Sequence, residues 1–221
     1  MPKETFFNLP DEKRQQILEL AIDEFASNNY KQASISRIVQ KAGIAKGSFY
    51  QYFEDKRDLY FYLLDLATEE KVTFMQGQEP ADPDMDVFSY LLWLFDATIG
   101  FQFSNPRLAQ VGYRALQSEG PLAEEAFKHM GDTAGGFYQQ LIARGIRQGD
   151  IRPNIDADLA AFLIGTAMNN LGDYIMGQLG ITLEDYSRLN SPALQKHRAE
   201  TKAILARLVE ILRDGLGSKT D

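Results

Sequence analysis

Lys46, Gly47, Ser48, Tyr50 and Gln51 stand in a short stretch, KGSFYQYF, whose two phenylalanines are four residues apart. On a helix, Phe49 and Phe53 share a face and anchor it to its neighbours. At about 100° per residue, Gln51 then lies opposite that anchor, with Gly47 and Ser48 flanking it and Lys46 and Tyr50 at the rim. The outward face is small and hydrogen-bonding at its centre. Such a face suits close approach to base edges in a DNA major groove. A Gln makes paired hydrogen bonds to adenine there, while Lys and Tyr hold phosphate oxygens.

The elements that must position this face follow from the flanking residues. Ile35, Ile38, Val39 and Ala42 recur at i, i+3, i+4 and i+7, which predicts a short amphipathic helix with Ser34 as its N-cap and Gly43 as its stop. A second helix begins near Ala45, so Ser34 to Leu59 reads as two short helices bent around Gly43. An earlier helix places Ile17, Leu18, Ala21, Ile22 and Phe25 on one side. Charge points the same way. The chain carries a net charge of −8, yet Lys31, Arg37, Lys41 and Lys46 fall between Tyr30 and Phe53 with no Asp or Glu among them. A basic patch on an acidic protein is suited to phosphate contact, although ordinary solvated lysines give the same composition.

Ile38-Val39, Ala42-Gly43-Ile44, Lys46 through Phe53 and Lys56-Arg57-Asp58-Leu59 together resemble the N-terminal helix-turn-helix signature of the TetR family of bacterial regulators. The resemblance covers roughly residues 10 to 60. It implies an all-α chain with a three-helix DNA-binding head at residues 1–58, and a helical effector-binding and dimerisation domain at residues 59–221. Carried over by position, Ser34, Ser36, Tyr50 and Lys56 would contact phosphate, and Lys46, Gly47, Ser48, Gln51 and Tyr52 would face bases or adjacent backbone. Ala45 departs from the pattern, because the family often has Ser or Thr there. The second helix therefore lacks a side-chain cap and a phosphate-binding hydroxyl.

A length of 221 residues suits one small head and one larger domain. The absence of cysteine excludes disulfides and thiolate chemistry. The opening MPKETFFNLPDEKR has no apolar signal core, and the longest uncharged stretch, Leu159 to Gly172, falls short of the ~20 residues a membrane span needs. The expectation is a cytoplasmic chain with no membrane partner. Asp82, Asp84 and Asp86 imitate a calcium loop, but Val87 replaces its turn glycine and Trp93 its closing Glu. His129 and His197 have no partner at metal-ligand spacing, and no GxSxG elbow occurs. No catalytic residues, metal or cofactor are expected.

Beyond the head, a helix from about 55 runs through Leu59, Leu63, Leu66 and Phe74, and residues 77–84 form the clearest loop. Further helices are predicted near 86–103, 106–118, 121–147, 156–179 and 192–214. The first of these is aromatic on several faces and must be nearly surrounded by protein. Trp93, Phe101, Tyr113, Phe127 and Phe137, with Asp96 as an acid among them, form a candidate pocket for a lipophilic or aromatic ligand when taken together, although plain core is the favoured reading for any one ring. Asp173 is a second acid of this kind. Gly131, Gly135 and Gly136 within one helix imply close approach, a kink or room for a ligand. Ala161, Gly165, Met168, Gly172, Ile175 and Leu179 keep a seven-residue rhythm, and with Leu205, Leu208 and Leu212 of the last helix they make a candidate homodimer face.

With the resemblance, these features imply a repressor that binds a double-stranded palindromic operator as a homodimer and is released by a small-molecule effector. Control by a protein partner, activation in place of repression, and a helical enzyme or carrier are the alternatives.

Overall fold

The computed structural model describes residues 1–78, 82, 84–116, 120–182 and 191–216. They form ten helices: α1 (Glu4–Phe7), α2 (Asp11–Ser27), α3 (Ile35–Ala42), α4 (Lys46–Tyr52), α5 (Lys56–Gln76), α6 (Val87–Ser104), α7 (Pro106–Leu116), α8 (Pro121–Gln148), α9 (Ala157–Leu179) and α10 (Ser191–Leu216). The chain is all-α, with an N-terminal helix-turn-helix followed by a helical C-terminal part. Among the described helices, α1 is the one that apolar periodicity does not announce, because it is a single turn.

Local chemistry explains where the helices begin and end. The Ser34 hydroxyl accepts the Arg37 N–H at 3.4 Å and caps α3. Gly43 ends that helix at φ 64°, a left-handed conformation that a side chain would strain. Asp55 accepts the Asp58 N–H at 2.8 Å at the start of α5, and Asp156 does the same for Leu159 at the start of α9, at 3.0 Å. Asp86 accepts the Phe88 and Ser89 N–H groups at the start of α6.

The chain divides into two compact units. The first comprises Met1–Val72 and Asn105–Met130, and the second Thr73–Ser104 and Gly131–Asp221. In the first, Ile17, Phe25, Ile38, Phe49, Phe53, Leu59, Leu63 and Leu64 build the core. Helix α7 packs on α2 there, with Arg107 bridging to Glu19 at 2.8 Å and to Asp23, and Arg114 donating to the Ala26 carbonyl at 2.7 Å.

In the second unit, Val87, Leu91, Phe95 and Ile99 of α6 meet Leu141 and Ile142 of α8, Ala160 and Ile164 of α9, and Leu205 and Val209 of α10. Among the described glycines of α8, Gly145 is the one that close approach requires. A Cβ there would lie 2.7 Å from Ile151 and 2.8 Å from Val87. Gly131 and Gly135 lie outside the described side chains, and Gly136 faces open space. Among the described residues, no helix is long and apolar enough to cross a membrane.

Candidate nucleic-acid interface

The turn between α3 and α4 and the outward side of α4 form the candidate site. Phe49 is buried and stacks on Phe53 at 5.5 Å, so the predicted anchor pair forms, even though Phe53 sits in extended backbone just past the helix end. With that side pinned inward, Lys46, Gly47, Tyr50 and Gln51 are exposed, and Ser48 and Tyr52 are half-buried at the edges. Tyr50 is 46% exposed, and a Cβ added at Gly47 would meet nothing within 4 Å. The face is therefore shallow at its centre and open to a close partner. Ala45 has the extended backbone of an N-cap, with φ −68° and ψ 145°, but makes no side-chain cap bond.

Polar groups fix this pair of helices from behind. Glu24 of α2 is only 5% exposed and accepts from the Ser34 N–H at 2.9 Å and from the Arg37 guanidinium, with its Nε at 3.0 Å. Burial alone would raise the Glu24 carboxyl. The hydrogen bonds from Arg37 and Ser34, with the charges of Arg37 and Lys41, outweigh it and hold the group below the ordinary carboxylate range. Arg37, although exposed, is thus paired within the head, and Lys31, Lys41 and Lys46 are the other exposed basic side chains of the stretch. Lys56 donates to the Tyr30 carbonyl at 2.8 Å and the Ala33 carbonyl at 3.1 Å, and its ammonium lies over the Tyr30 ring at 4.5 Å. The resemblance implies a phosphate contact for Lys56, yet here its first task is to hold the α2–α3 connection. Ser34 is half-buried with its hydroxyl engaged as a cap, and Ser36 is exposed.

Periodicity misses one part of the site. The Lys3 N–H donates to the Tyr52 carbonyl and the Lys3 ammonium to the Tyr50 carbonyl, both at 2.8 Å, and the Thr5 hydroxyl donates to the Gln51 carbonyl. Phe6 is fully buried beside Phe53, with ring centroids 4.8 Å apart. The only signal in the sequence is the Phe6-Phe7 pair in an otherwise polar opening.

The second unit carries the aromatic residues. Tyr90 lies 5.3 Å from Trp93 and 6.4 Å from Phe137, and Phe137 lies 5.3 Å from Tyr138. Burial pushes the Tyr138 phenol above its usual range. Phe101 is buried and meets Phe74 edge-on at 6.0 Å. Tyr113 belongs to the first unit, as does Phe127, whose side chain lies outside the described residues. Asp96 pairs with Lys202 at 2.9 Å and Arg198 at 3.6 Å, so its charge is answered by α10 of its own chain. Asp173 is exposed.

The heptad stripe of α9 turns inward. Ala161, Met168 and Ile175 join the second unit's own core, and a Cβ at Gly165 would meet the Tyr138 ring at 3.4 Å. Leu205 is 2% exposed, Leu212 packs on the same core, and Leu208 and Gly172 are half-buried. A repeat of apolar residues marks a covered face without saying what covers it, and here α8 and α10 of the same chain do much of the covering. A different stripe of α9 faces outward, with Leu159, Phe162, Leu163 and Tyr174 all at least half exposed, and Ile211 of α10 is exposed as well. Among the described residues, no group of three or more His, Asp or Glu side chains is placed to hold a metal.

Two short helices joined by a tight left-handed turn, the second with a small polar outer face and braced from behind, define a helix-turn-helix DNA-binding module, here joined to an all-helical partner region. Residues 17–63 match the model of the bacterial regulatory proteins of the tetR family, and residues 85–210 match that of the tetracyclin repressor-like C-terminal domain. The chain belongs to the TetR family of transcriptional regulators. A TetR family regulator from Chloroflexus aurantiacus shares 40% identity over 99% of this chain and 100% of that one, with a TM-score of 0.81. The fatty acid metabolism regulator protein of Bacillus subtilis is 26% identical over 74% of this chain and 84% of its own length. FadR from Bacillus subtilis, solved in complex with stearoyl-CoA, has the same fold at 21% identity and a TM-score of 0.64, covering 91% of this chain and 98% of that one.

Proposed function

We propose that this regulator is a repressor that binds a palindromic operator as a homodimer and is released by a lipophilic small molecule, with a long-chain acyl-CoA the first compound to test. The observation that carries the DNA-reading part is the outer face of α4. Lys46, Gly47, Tyr50 and Gln51 are exposed around an open centre, while Phe49 locks the opposite side. Gln51 and the Gly47-Ser48 edge face bases, Lys46 and Tyr52 lie beside them, and Tyr50, Ser36 and Ser34 hold phosphate. Lys56 keeps Tyr30 and Ala33 in place and turns its remaining N–H toward the backbone of the duplex. Residues 1–58 form the reading head and 59–221 the effector-binding and dimerisation part.

Pairing of two chains runs over the outward stripe of α9, where Leu159, Phe162 and Leu163 are each at least half exposed and present apolar surface. A two-fold dimer then presents two α4 helices to half-sites about 34–36 Å apart. The effector reading rests on the Trp93, Tyr90, Phe137 and Tyr138 rings and is supported by the names of the Bacillus subtilis relatives. Trp93 is the only tryptophan, so its fluorescence reports on that region.

Full-length protein should enrich a palindrome from a randomised duplex library, and stearoyl-CoA should quench Trp93 and weaken that complex by roughly 5–150-fold. Linkage demands that saturating duplex weaken stearoyl-CoA binding by the same factor. Quenching that is equal with and without duplex would remove the effector role while leaving DNA binding intact.

A further inference from the structure

Helix α4 has seven residues, far fewer than an isolated helix needs to persist in water. Its last four carbonyls have no partner within the helix. The Phe49 carbonyl is taken by the Phe53 N–H at 2.9 Å. The other three are taken, one each, by the chain's opening segment: Tyr50 by the Lys3 ammonium, Gln51 by the Thr5 hydroxyl and Tyr52 by the Lys3 N–H. Phe6 then wedges the segment in place, fully buried and within 6.1 Å of the Phe53, Tyr52 and Tyr62 rings, measured between centroids. A cation at the C-terminal end of a helix also opposes the negative end of its dipole. This segment lies outside the residues that match the family model, which begin at residue 17.

We infer that Lys3 and Thr5 are positioning residues for DNA reading: they set the rotation and depth of α4, and hence the sequence preference of the protein, without touching a base. The inference rests on α4 being the reading helix. The carbonyl held by Thr5 belongs to Gln51, the residue at the centre of the outer face, so tilting that peptide moves the side chain that faces the bases. Both Lys3 and Thr5 are themselves exposed, so their side chains add little to the core.

The test uses the full chain, the duplex that wild type enriches from a randomised library, and a scrambled duplex of the same composition. Thr5→Val keeps the shape and removes the donor, Thr5→Ser restores it, and Lys3→Met removes the second. Each hydrogen bond contributes modestly on its own, so the double variant K3M/T5V should lose about tenfold on the enriched duplex. It should be unchanged on the scrambled one, and a fresh selection should return a more degenerate sequence. Thr5→Val alone should shift the same ratio without changing the salt dependence, and Thr5→Ser should recover it. Equal loss on both duplexes, with a salt slope lower by about one, would make Lys3 a phosphate contact and overturn the positioning role. Unchanged discrimination in the double variant would overturn it outright. A wild type that enriches no duplex would instead remove the reading role of α4 itself.

Discussion

The reading head and the aromatic region of the second unit hold their important side chains by opposite means. In the head, α3 and α4 are held by directional polar contacts: Glu24 to Ser34 and Arg37, Lys56 to two carbonyls, and Lys3 and Thr5 to the end of α4. Around Trp93, Tyr90, Phe137 and Tyr138 the contacts are ring against ring, and charged pairs such as Asp86–Arg213 and Asp96–Lys202 stand at the edges. Hydrogen bonds fix angles and positions, whereas apolar contact is nearly indifferent to direction. The first kind suits the base reading proposed for α4, and the second suits the lipophilic ligand proposed for the aromatic region.

The contrast breaks most visibly at the outward stripe of α9, where apolar residues are at least half exposed. Phe162 is 65% exposed, and Phe162→Glu should convert a micromolar dimer to monomer in sedimentation and lower operator affinity about 10²-fold, the loss expected when two linked heads become independent. Gly165→Leu probes the other side of the same helix. It should leave the dimer intact but lower the urea midpoint by an amount equivalent to about 1–3 kcal/mol, because the Tyr138 ring already occupies that space.

In the head, Glu24→Gln should cost about 1–3 kcal/mol of unfolding free energy, since it weakens a buried acceptor that serves Arg37 and the Ser34 N–H. Acid sharpens the point. The folded-state pKa of Glu24 lies below the ordinary value of 4.5, so its contribution is fully present above about pH 4.5 and is lost as the pH falls through the lower, folded value. Urea unfolding followed from pH 6 to pH 3 should show a steeper loss in wild type than in Glu24→Gln.

The smallest expected effect is a gain. Ala45→Ser supplies the missing cap of α4 in backbone already shaped for it, and should raise stability by about 1 kcal/mol or less.

Legibility in the sequence follows the same division. The head's elements are specified by neighbours a few residues apart: Ser34 caps at i+3, Gly43 terminates, and Phe49 pairs with Phe53 at i+4, so spacing alone locates them. Helices α6 to α10 are legible for the same reason, with ends within two residues of expectation. What covers each apolar stripe is decided by residues far away in the chain. The seven-residue rhythm through Gly165 and Met168 therefore announces a buried face but not that Tyr138 and the chain's own core bury it, and the outward stripe through Phe162 goes unmarked. The pairing of Asp96 with Lys202, more than a hundred residues later, and the clamp of Lys3 and Thr5 on α4 are hidden for the same cause.

The outer face of α4 as the surface that reads DNA is tested most directly by Gln51→Ala on the duplex enriched by wild type and on its single-base variants. Loss of a paired contact to one base should cost about 1–3 kcal/mol on the enriched duplex and flatten preference at one position in each half-site, while the other positions keep theirs. An equal loss on every duplex, or full retention of the preference, would contradict the reading role assigned to Gln51.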